Sequence, residues 1–311
     1  MLKLDNNSKK IILISGPTAS GKTKIAIKLA KKINGEIVNA DSMQVYKEIS
    51  ILSSKPSKSD MKAVKHHLFS FISVKKIFSS GKWLILAKKK IDQILKKGSI
   101  PIVVGGTGLY FNSIERGLSK IPKIKKPLSK KIRNLHKKIG QDKFYKRLIN
   151  LDPLTIGRFL PTDTQRTIRA FEVFMSTKKS IYIWSQNTKS LFKNYDIRKI
   201  YINIPRETLI KNINTRTNFI INKKSISEVK NFLKLKLDKS LPANKIIGIK
   251  EIQSFLNKTK KIEDVKELIN IKTRQYAKRQ KTWSRGYMSE WNMVYSKDLS
   301  ALLKKILILT S

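Results

Sequence analysis

Short apolar runs alternate along the chain with longer segments whose apolar residues recur at every third or fourth position. Five of the runs predict buried strands: Ile11–Ser15, Glu36–Ala40, Leu68–Ile72, Ile100–Val104 and Ile200–Ile204. Strands this rich in apolar residues are typical of parallel sheets, in which helices cover both faces. The pattern therefore predicts a layered α/β architecture.

Helical periodicity fills most of the intervals between the predicted strands. Lys22–Ile33 keeps its apolar residues on one helical face, and Trp83–Leu95 repeats that arrangement. Strands that alternate with helices are joined by crossover connections, which make neighbouring strands parallel. We therefore expect one parallel sheet with helices on both sides.

The alternation stops after Gly117. From there to about Tyr195 the pattern is helical and punctuated by prolines, and Ile181–Trp184 is the one segment with strand character. Strand character returns at Ile200, and the chain after Pro205 is helical and basic. We predict an α/β core formed by residues 1–117 and 198–311, with basic C-terminal helices, and a helical insertion domain formed by residues 118–197.

Composition excludes several kinds of site. Cysteine is absent, so disulfides and thiolate metal ligands are excluded. The chain has three histidines, and adjacent His66 and His67 would point to opposite faces of a strand, which argues against a histidine metal centre. No run approaches the ~20 apolar residues of a membrane span. The N-terminal residues MLKLDNNSKKIILISG lack the apolar length of a secretory signal. We expect a cytoplasmic protein.

Charge is the most unusual bulk property. The 311 residues include 67 Lys and Arg against 21 Asp and Glu, a net charge of +46. One interpretation is a polyanionic partner such as nucleic acid. The other is compositional, because Lys, Ile and Asn are abundant throughout the chain, as in proteins encoded by AT-rich genomes. The positions of the Arg residues distinguish these two interpretations better than the net charge does.

A phosphate-binding loop follows the first predicted strand. The stretch GPTASGKT fits G-x-x-x-x-G-K-[ST], the P-loop of nucleotide- and ATP-binding proteins, and it lies between a strand and a helix as that motif requires. Its backbone N–H groups and the helix N-terminus would hold a diphosphate or triphosphate. The candidate phosphate ligands are Gly16, Pro17, Thr18, Ala19, Ser20, Gly21, Lys22 and Thr23. Thr23 is the candidate ligand of a Mg²⁺ cofactor.

Two further turns follow predicted strands. Asp41 ends the second strand, where it could act as a general base, ligate magnesium, or serve only as a helix cap or a turn residue. Gly105, Gly106 and Gly108 end the fourth, where they permit either close approach to a ligand or a tight turn, and Thr107 adds a hydroxyl. Ligands of open α/β sheets bind at this edge, so we expect both turns near the phosphate loop.

Five motifs in this order resemble one family: GPTASGKT, DSMQVY followed by KP, GGTGLY, DTQRTIRAFEVF and TRQYAKRQKTW. The chain is similar to tRNA dimethylallyltransferases, the tRNA isopentenyltransferase (IPP transferase) family, from about Ile11 to Trp283. The resemblance implies a P-loop NTPase-like parallel sheet core with a helical insertion domain. It also implies a prenyltransferase that moves a dimethylallyl group from its diphosphate to the exocyclic amine of adenine 37 in tRNA.

The resemblance assigns roles to individual positions. Asp41 would be the base, Thr107 would lie beside adenine or donor, and Lys22 would stabilise the departing diphosphate. Arg216 would bind the diphosphate with the P-loop. The residues implied in binding the tRNA anticodon stem-loop are Asp41, Ser42, Met43, Gln44, Thr107, Gln165, Arg166, Thr167, Ile168, Arg169, Arg274, Lys278 and Arg279. The implied partners are tRNA and dimethylallyl diphosphate, and we expect a monomer.

Three departures from the family pattern and three alternative functions remain. Leu52–Pro56 replaces Gly-Thr-Ala-Lys-Pro, Lys65 replaces a proline before the paired histidines, and Ile247–Glu251 lacks a usual tyrosine. A P-loop small-molecule kinase would share the loop and Asp41, and an adenylate isopentenyltransferase would prenylate free nucleotide. An RNA-binding module with a vestigial loop would not need Lys22.

Overall fold

A computed structural model describes residues 9–310, and residues 1–8 of the N-terminal stretch that lacks the apolar length of a secretory signal lie outside the described residues. The chain divides into two compact units. The first ends at Ile114 and resumes at Asn194, and the second comprises Glu115–Lys193. None of the helices within residues 9–310 combines the length and the apolar content that a membrane span needs.

The first unit contains a six-stranded sheet in which every pairing is parallel, with strand order β3-β2-β4-β1-β5-β6. Its strands are β1 Lys10–Ser15, β2 Gly35–Asn39, β3 His66–His67, β4 Ile100–Gly105, β5 Asp196–Ile202 and β6 Asn292–Val294. The predicted parallel α/β fold is confirmed.

Twelve α-helices occur among the described residues. They are α1 Lys22–Lys32, α2 Lys58–Ala63, α3 Ser80–Leu95, α4 Gly108–Arg116, α5 Lys126–Leu151, α6 Thr164–Thr177, α7 Ile181–Gln186, α8 Arg206–Ile220, α9 Lys223–Lys234, α10 Ile249–Leu256, α11 Ile262–Tyr287 and α12 Leu299–Thr310. Helices α5 to α7 belong to the second unit, and α5 is interrupted at Gly140, which has a left-handed φ of 77°.

The sheet is covered on both faces, as its apolar strands require. Ile12 and Ile14 of β1 point to the face on which α1 and α12 pack. Ile11 and Leu13 point to the opposite face and are also fully buried. Helix α3 packs on β2 and β4, and its Trp83 is fully buried. This burial on both faces fixes β1 between β4 and β5, and the phosphate loop begins at its end.

The sheet differs from the sequence predictions at two strands. The third strand is His66–His67 rather than Leu68–Ile72, because Leu68 and Ser70 have left-handed φ angles of 62° and 48° that interrupt an extended strand. The segment instead makes one isolated bridge, between Tyr46 and Ile72. The short β6 was not predicted, since three residues carry no measurable periodicity.

The regular elements of the second unit are all helices, including the segment predicted with strand character. Ile181–Trp184 lies in α7, whose first turn is capped by the Ser180 side chain accepting the Tyr182 N–H. The core of this unit is formed by apolar residues of α5 and α6, among them Phe144, Leu148 and Phe171. An insertion with its own core can present a surface without disturbing the sheet.

Candidate active site

The phosphate loop has the backbone that its sequence predicts. It connects the end of β1 to α1, and Gly21 takes a left-handed φ of 82° immediately before the helix. A Cβ on Gly16 would lie 2.9 Å from Ser20 Oγ and 3.0 Å from the Ile202 carbonyl oxygen, so a side chain there would force these neighbours to shift. The loop therefore places the N-terminus of α1 toward the carboxyl edge of the sheet.

Lys22 lies half-buried at the base of this loop. Its Nζ donates to the Pro17 carbonyl oxygen at 3.0 Å. Burial lowers the pKa of Lys22 to about 8, the carboxylate of Asp41 opposes that shift, and the nearby Arg216 adds to it. An anion bound in the loop would restore the charged form, because it replaces the solvation that burial removed.

A cavity of about 570 Å³ opens beside the loop. Its polar wall contains Lys22, Thr23, Asp41 and Arg216. The remainder is lined in large part by apolar side chains of the first unit, including Ile213, Ile220, Ile246, Ile247 and Ile269. A ligand with one strongly anionic end and one apolar end fits this division.

Helix α8 braces the phosphate loop from one side. Arg216 Nη1 donates to Thr18 Oγ1 at 2.6 Å, and Asn212 Nδ2, one turn earlier, donates to the Ala19 carbonyl oxygen at 3.1 Å. Burial lowers the pKa of Arg216 while Asp41 raises it, and an arginine in this setting stays charged. The structure thus brings Arg216 to the loop, as the family resemblance implied.

Asp41 ends a tight turn and faces the cavity. Its backbone N–H donates to Asn39 Oδ1, and its Oδ1 accepts the Met43 N–H, both at 2.9 Å. No helix begins at Asp41, so the helix-cap interpretation is wrong, whereas the Met43 N–H bond to Oδ1 makes Asp41 a turn residue. Its Oδ2 has no hydrogen-bond partner within residues 9–310, which leaves one carboxylate oxygen available to a ligand.

Thr107 joins the turns that follow β2 and β4. Its Oγ1 accepts the Ser42 N–H at 2.9 Å, and its own N–H donates to the Ala40 carbonyl oxygen at 3.1 Å. Asp41, Met43 and Gln44 line the cavity, whereas Ser42 and Thr107 do not. The geometry therefore makes Thr107 a support for the Asp41 turn.

The three glycines at the end of β4 and in the turn after it accommodate protein neighbours. An added Cβ would lie 2.0 Å from the Ala40 carbonyl oxygen at Gly105, 2.3 Å from Gln280 Nε2 at Gly106, and 2.2 Å from the Trp283 ring at Gly108. The sequence suggested that a ligand approaches these glycines closely. In the structure the turn after β2 and helix α11 occupy that space.

Two residues that sequence reasoning missed shape the wall of the cavity. Glu228 of α9 accepts the N–H groups of Ser50, Ile51 and Leu52. Lys55 donates to Ser70 Oγ at 2.7 Å and to the Tyr46 carbonyl oxygen. Burial lowers the pKa of Lys55 to about 8, against the opposing effect of Glu228 and Glu48. The only sequence signal was the Lys-Pro pair at Lys55.

Gln44 also supports this wall. Its Nε2 donates to the carbonyl oxygens of Ser53 and Ser54, at 3.0 and 3.1 Å. Only its Oε1 is left to meet a ligand. The departure from the family pattern at Leu52–Pro56 therefore falls on a segment whose backbone groups bond to Gln44 and Glu228 and which the Lys55 side chain also anchors.

The three residues of α11 that were predicted to bind RNA have different surroundings. Arg279 lines the cavity, and its guanidinium lies 5.9 Å from the centre of the Tyr276 ring. Arg274 pairs with Glu267 at 2.9 Å, and Lys278 is exposed. Burial, and Asp41 after it, raises the pKa of Tyr276, which therefore stays protonated.

Within the second unit, α6 exposes only part of its predicted binding set. Gln165, Arg166 and Arg169 are exposed. Thr167 and Ile168 are buried in that unit, and the Thr167 hydroxyl is engaged by Asp163 and Gln141. Helical periodicity turns Thr167 and Ile168 toward the core of that unit, and their contact with RNA stays a prediction.

Comparison with known proteins defines the family. A family model described as IPP transferase matches residues 44–287. The chain belongs to the IPP transferase family. It is 52% identical over 301 residues to the tRNA dimethylallyltransferase of Pelagibacter ubique, covering 97% of this chain and 96% of that one. It is 42% identical to the Rickettsia massiliae tRNA dimethylallyltransferase, covering 92% of this chain and 80% of that one.

Solved structures of this family have the same fold. The tRNA isopentenylpyrophosphate transferase of Bacillus halodurans superposes with a TM-score of 0.68 at 28% identity, covering 97% of each chain. A eukaryotic dimethylallyltransferase described as acting on tRNA gives a TM-score of 0.80 at 27% identity, covering 97% of this chain and 78% of that one. The predicted family and fold class are therefore confirmed.

Proposed function

We propose that this protein transfers a dimethylallyl group from dimethylallyl diphosphate to the exocyclic amine of adenine 37 in tRNA, releasing diphosphate. One observation carries the proposal: a single cavity brings the phosphate loop, Arg216 and the free carboxylate oxygen of Asp41 together with an apolar wall. That is the set of groups needed to hold a prenyl diphosphate beside an amine.

The anionic end of the donor would lie in the phosphate loop. Breaking the allylic C–O bond leaves an additional negative charge on the diphosphate. Loop N–H groups, the α1 N-terminus, Lys22 and Arg216 would stabilise that charge, and they are already oriented by the fold. Such preorganised stabilisation is commonly the largest part of a rate enhancement.

Thr23 is the residue that would hold Mg²⁺ together with the diphosphate. Its side chain lines the cavity and is free of hydrogen bonds within residues 9–310. Those residues contain no group of three or more His, Asp or Glu suited to hold a metal, which fits an ion ligated mainly by phosphate oxygens and water. The bound ion would supply further neutralisation of the leaving group.

Asp41 would take the proton lost by the amine. As the adenine nitrogen forms its bond to the allylic carbon, it becomes cationic, and one N–H proton passes to Asp41 Oδ2. The hydrogen bond from Met43 to Oδ1 fixes the carboxylate orientation while Oδ2 stays available. An oriented base of this kind contributes typically 10²–10⁴-fold to a rate.

The RNA acceptor is supported by exposed cations. Arg166 and Arg169 lie on the exposed face of α6, and Lys278 and Arg279 are exposed on α11. These are suited to phosphate contact, while reaching the amine requires the target base to leave its stack. We propose the anticodon stem-loop as the RNA element bound.

A turnover assay distinguishes this proposal from its alternatives. Labelled dimethylallyl diphosphate and Mg²⁺ are incubated with a stem-loop RNA containing adenine 37, with AMP, or with ATP alone. Label in the stem-loop supports the proposal. Label in AMP alone indicates an adenylate isopentenyltransferase, ATP consumption without transfer indicates a kinase, and RNA binding without any turnover indicates a binding module.

A further inference from the structure

Gln280 of α11 connects the two loops that border the candidate active site. Its Oε1 accepts the backbone N–H of Thr18 at 2.8 Å, and its Nε2 donates to the Gly106 carbonyl oxygen at 2.9 Å. Because one partner is a donor and the other an acceptor, only one orientation of the amide satisfies both. A single side chain thus joins the phosphate loop to the turn after β4.

Two glycines make room for Gln280 and its neighbour Trp283. A Cβ at Gly106 would lie 2.3 Å from Gln280 Nε2, and one at Gly108 would lie 2.2 Å from the ring of Trp283. Gln280 and Trp283 are three residues apart, so they share one face of α11. The two glycines therefore let α11 pack directly on the turn and bring Gln280 within reach of Thr18.

Thr18 is held by two helices at once. Arg216 of α8 donates to its hydroxyl, and Gln280 of α11 accepts its N–H. The same helix α11 carries Tyr276, Lys278 and Arg279 on the turn before Gln280, and Tyr276 and Arg279 line the cavity. A shift of α11 on binding RNA would therefore reach the phosphate loop through Gln280.

We propose that Gln280 is a positioning residue that sets the shape of the phosphate loop and couples RNA binding on α11 to diphosphate binding. Gln280 does not touch the reacting atoms in this scheme. The inference rests on the proposed function, because it assumes that the loop binds diphosphate and that α11 meets RNA.

The test compares wild type with Gln280→Met, in which a side chain of similar length keeps the packing but removes both hydrogen bonds. Calorimetry measures the Kd of Mg²⁺-diphosphate in the absence and presence of the anticodon stem-loop. Wild type should bind diphosphate several-fold more tightly with the stem-loop present. Gln280→Met should weaken diphosphate binding about ten-fold, the scale of one or two lost hydrogen bonds, and remove the enhancement.

Two further variants separate positioning from general structure. Thr282→Ala alters an exposed residue of the same helix and should behave as wild type. Gly106→Ala introduces a Cβ against the end of the Gln280 side chain and should reproduce the loss of coupling if Gln280→Met fails to fold. Thermal unfolding of each variant shows whether the change is confined to binding.

Unchanged diphosphate affinity and unchanged enhancement in Gln280→Met would overturn the inference, even if its Tm fell. Wild type that binds diphosphate with no enhancement by the stem-loop would overturn the coupling. Wild type that binds no diphosphate would overturn the proposed function together with this inference. The first two outcomes leave the proposed function intact, so the failures are distinguishable.

Discussion

At the scale of single residues, the site is defined by charged groups whose partners are supplied by the loops around them. Lys22 and Arg216 are both held at the phosphate loop, through the Pro17 carbonyl oxygen and the Thr18 hydroxyl. Asp41 keeps one oxygen engaged and one available. These arrangements lead to two predictions.

The first concerns the pH dependence of diphosphate binding. The pKa of Lys22 is lowered to about 8, so in the empty site the ammonium loses its charge as pH rises through that value. Affinity for Mg²⁺-diphosphate should be fully developed below pH 8 and fall by up to about ten-fold per pH unit above it. Calorimetry between pH 6.5 and 9.5 measures this profile.

Lys22→Met is the control for that profile. It should bind diphosphate weakly at every pH, and any slope that remains belongs to the ligand's own ionisation. A wild-type profile parallel to that of Lys22→Met would contradict the assignment of the titration to Lys22.

The second prediction concerns Asp41→Asn. Asparagine can still accept the Met43 N–H through its side-chain oxygen, so the turn should persist, but it cannot take up a proton. We expect kcat to fall about 10²–10⁴-fold while the Kd of Mg²⁺-diphosphate stays within a few-fold. Single-turnover rates with the stem-loop RNA measure the effect. Near-normal kcat would exclude Asp41 as the base.

At the scale of secondary-structure elements, the carboxyl edge of the sheet collects loops from distant parts of the chain. Ser15 of β1 pairs with Gly105 of β4, and Asn39 of β2 pairs with Val104, so three successive loops meet at one edge. Helices α8, α9 and α11 then fasten those loops through Arg216, Glu228 and Gln280. Each fastening is a contact between elements far apart in sequence.

The third prediction concerns the contact between α9 and the segment after Tyr46. Glu228→Ala leaves the N–H groups of Ser50, Ile51 and Leu52 without their carboxylate partner. Hydrogen bonds to a charged acceptor make this loss worth about 1–3 kcal/mol of unfolding free energy. Urea unfolding measures the change.

Lys230→Ala is the matched control for this contact. Lys230 is exposed on the same helix, and its removal should change the unfolding free energy by less than about 0.5 kcal/mol. Equal effects of the two substitutions would show that the carboxylate contact contributes nothing particular to stability.

At the scale of the whole molecule, the net charge of +46 combines the two sources considered from the sequence. Exposed cations also lie outside the predicted motifs. Lys89 of α3, for example, is exposed and belongs to none of them. A contribution of positive charge to RNA binding must therefore come from cations at particular positions rather than from the net charge. Salt dependence of RNA binding distinguishes those positions from the background.

The fourth prediction is that Arg166→Ala and Lys278→Ala each lower the salt dependence of stem-loop binding. Loss of one phosphate contact should reduce the slope of log K against log salt by about 1. Lys89→Ala removes the same charge from α3 and should leave the slope unchanged. Equal reductions by all three variants would favour the compositional interpretation of the charge.

Much of the core and of the candidate site could be predicted because its signals are local. The apolar runs of β1, β2 and β4 and the G-x-x-x-x-G-K-[ST] pattern depend only on neighbouring residues. The third strand was misplaced because left-handed φ angles at Leu68 and Ser70 are imposed by contacts with the segment after β2. Strand β6 was missed because three residues form a strand only when β5 is beside them.

Local patterns were thus sufficient for the family, the parallel α/β fold and the phosphate loop, while the candidate role of Arg216 came from the family resemblance alone. The fold alone revealed that Gly106 and Gly108 make room for α11, and that Glu228 and Gln280 hold the loops of the cavity. The physical reason is distance along the chain. A hydrogen bond between Gln280 and Thr18 joins residues with no shared local signal, so packing has to bring them together before the contact exists.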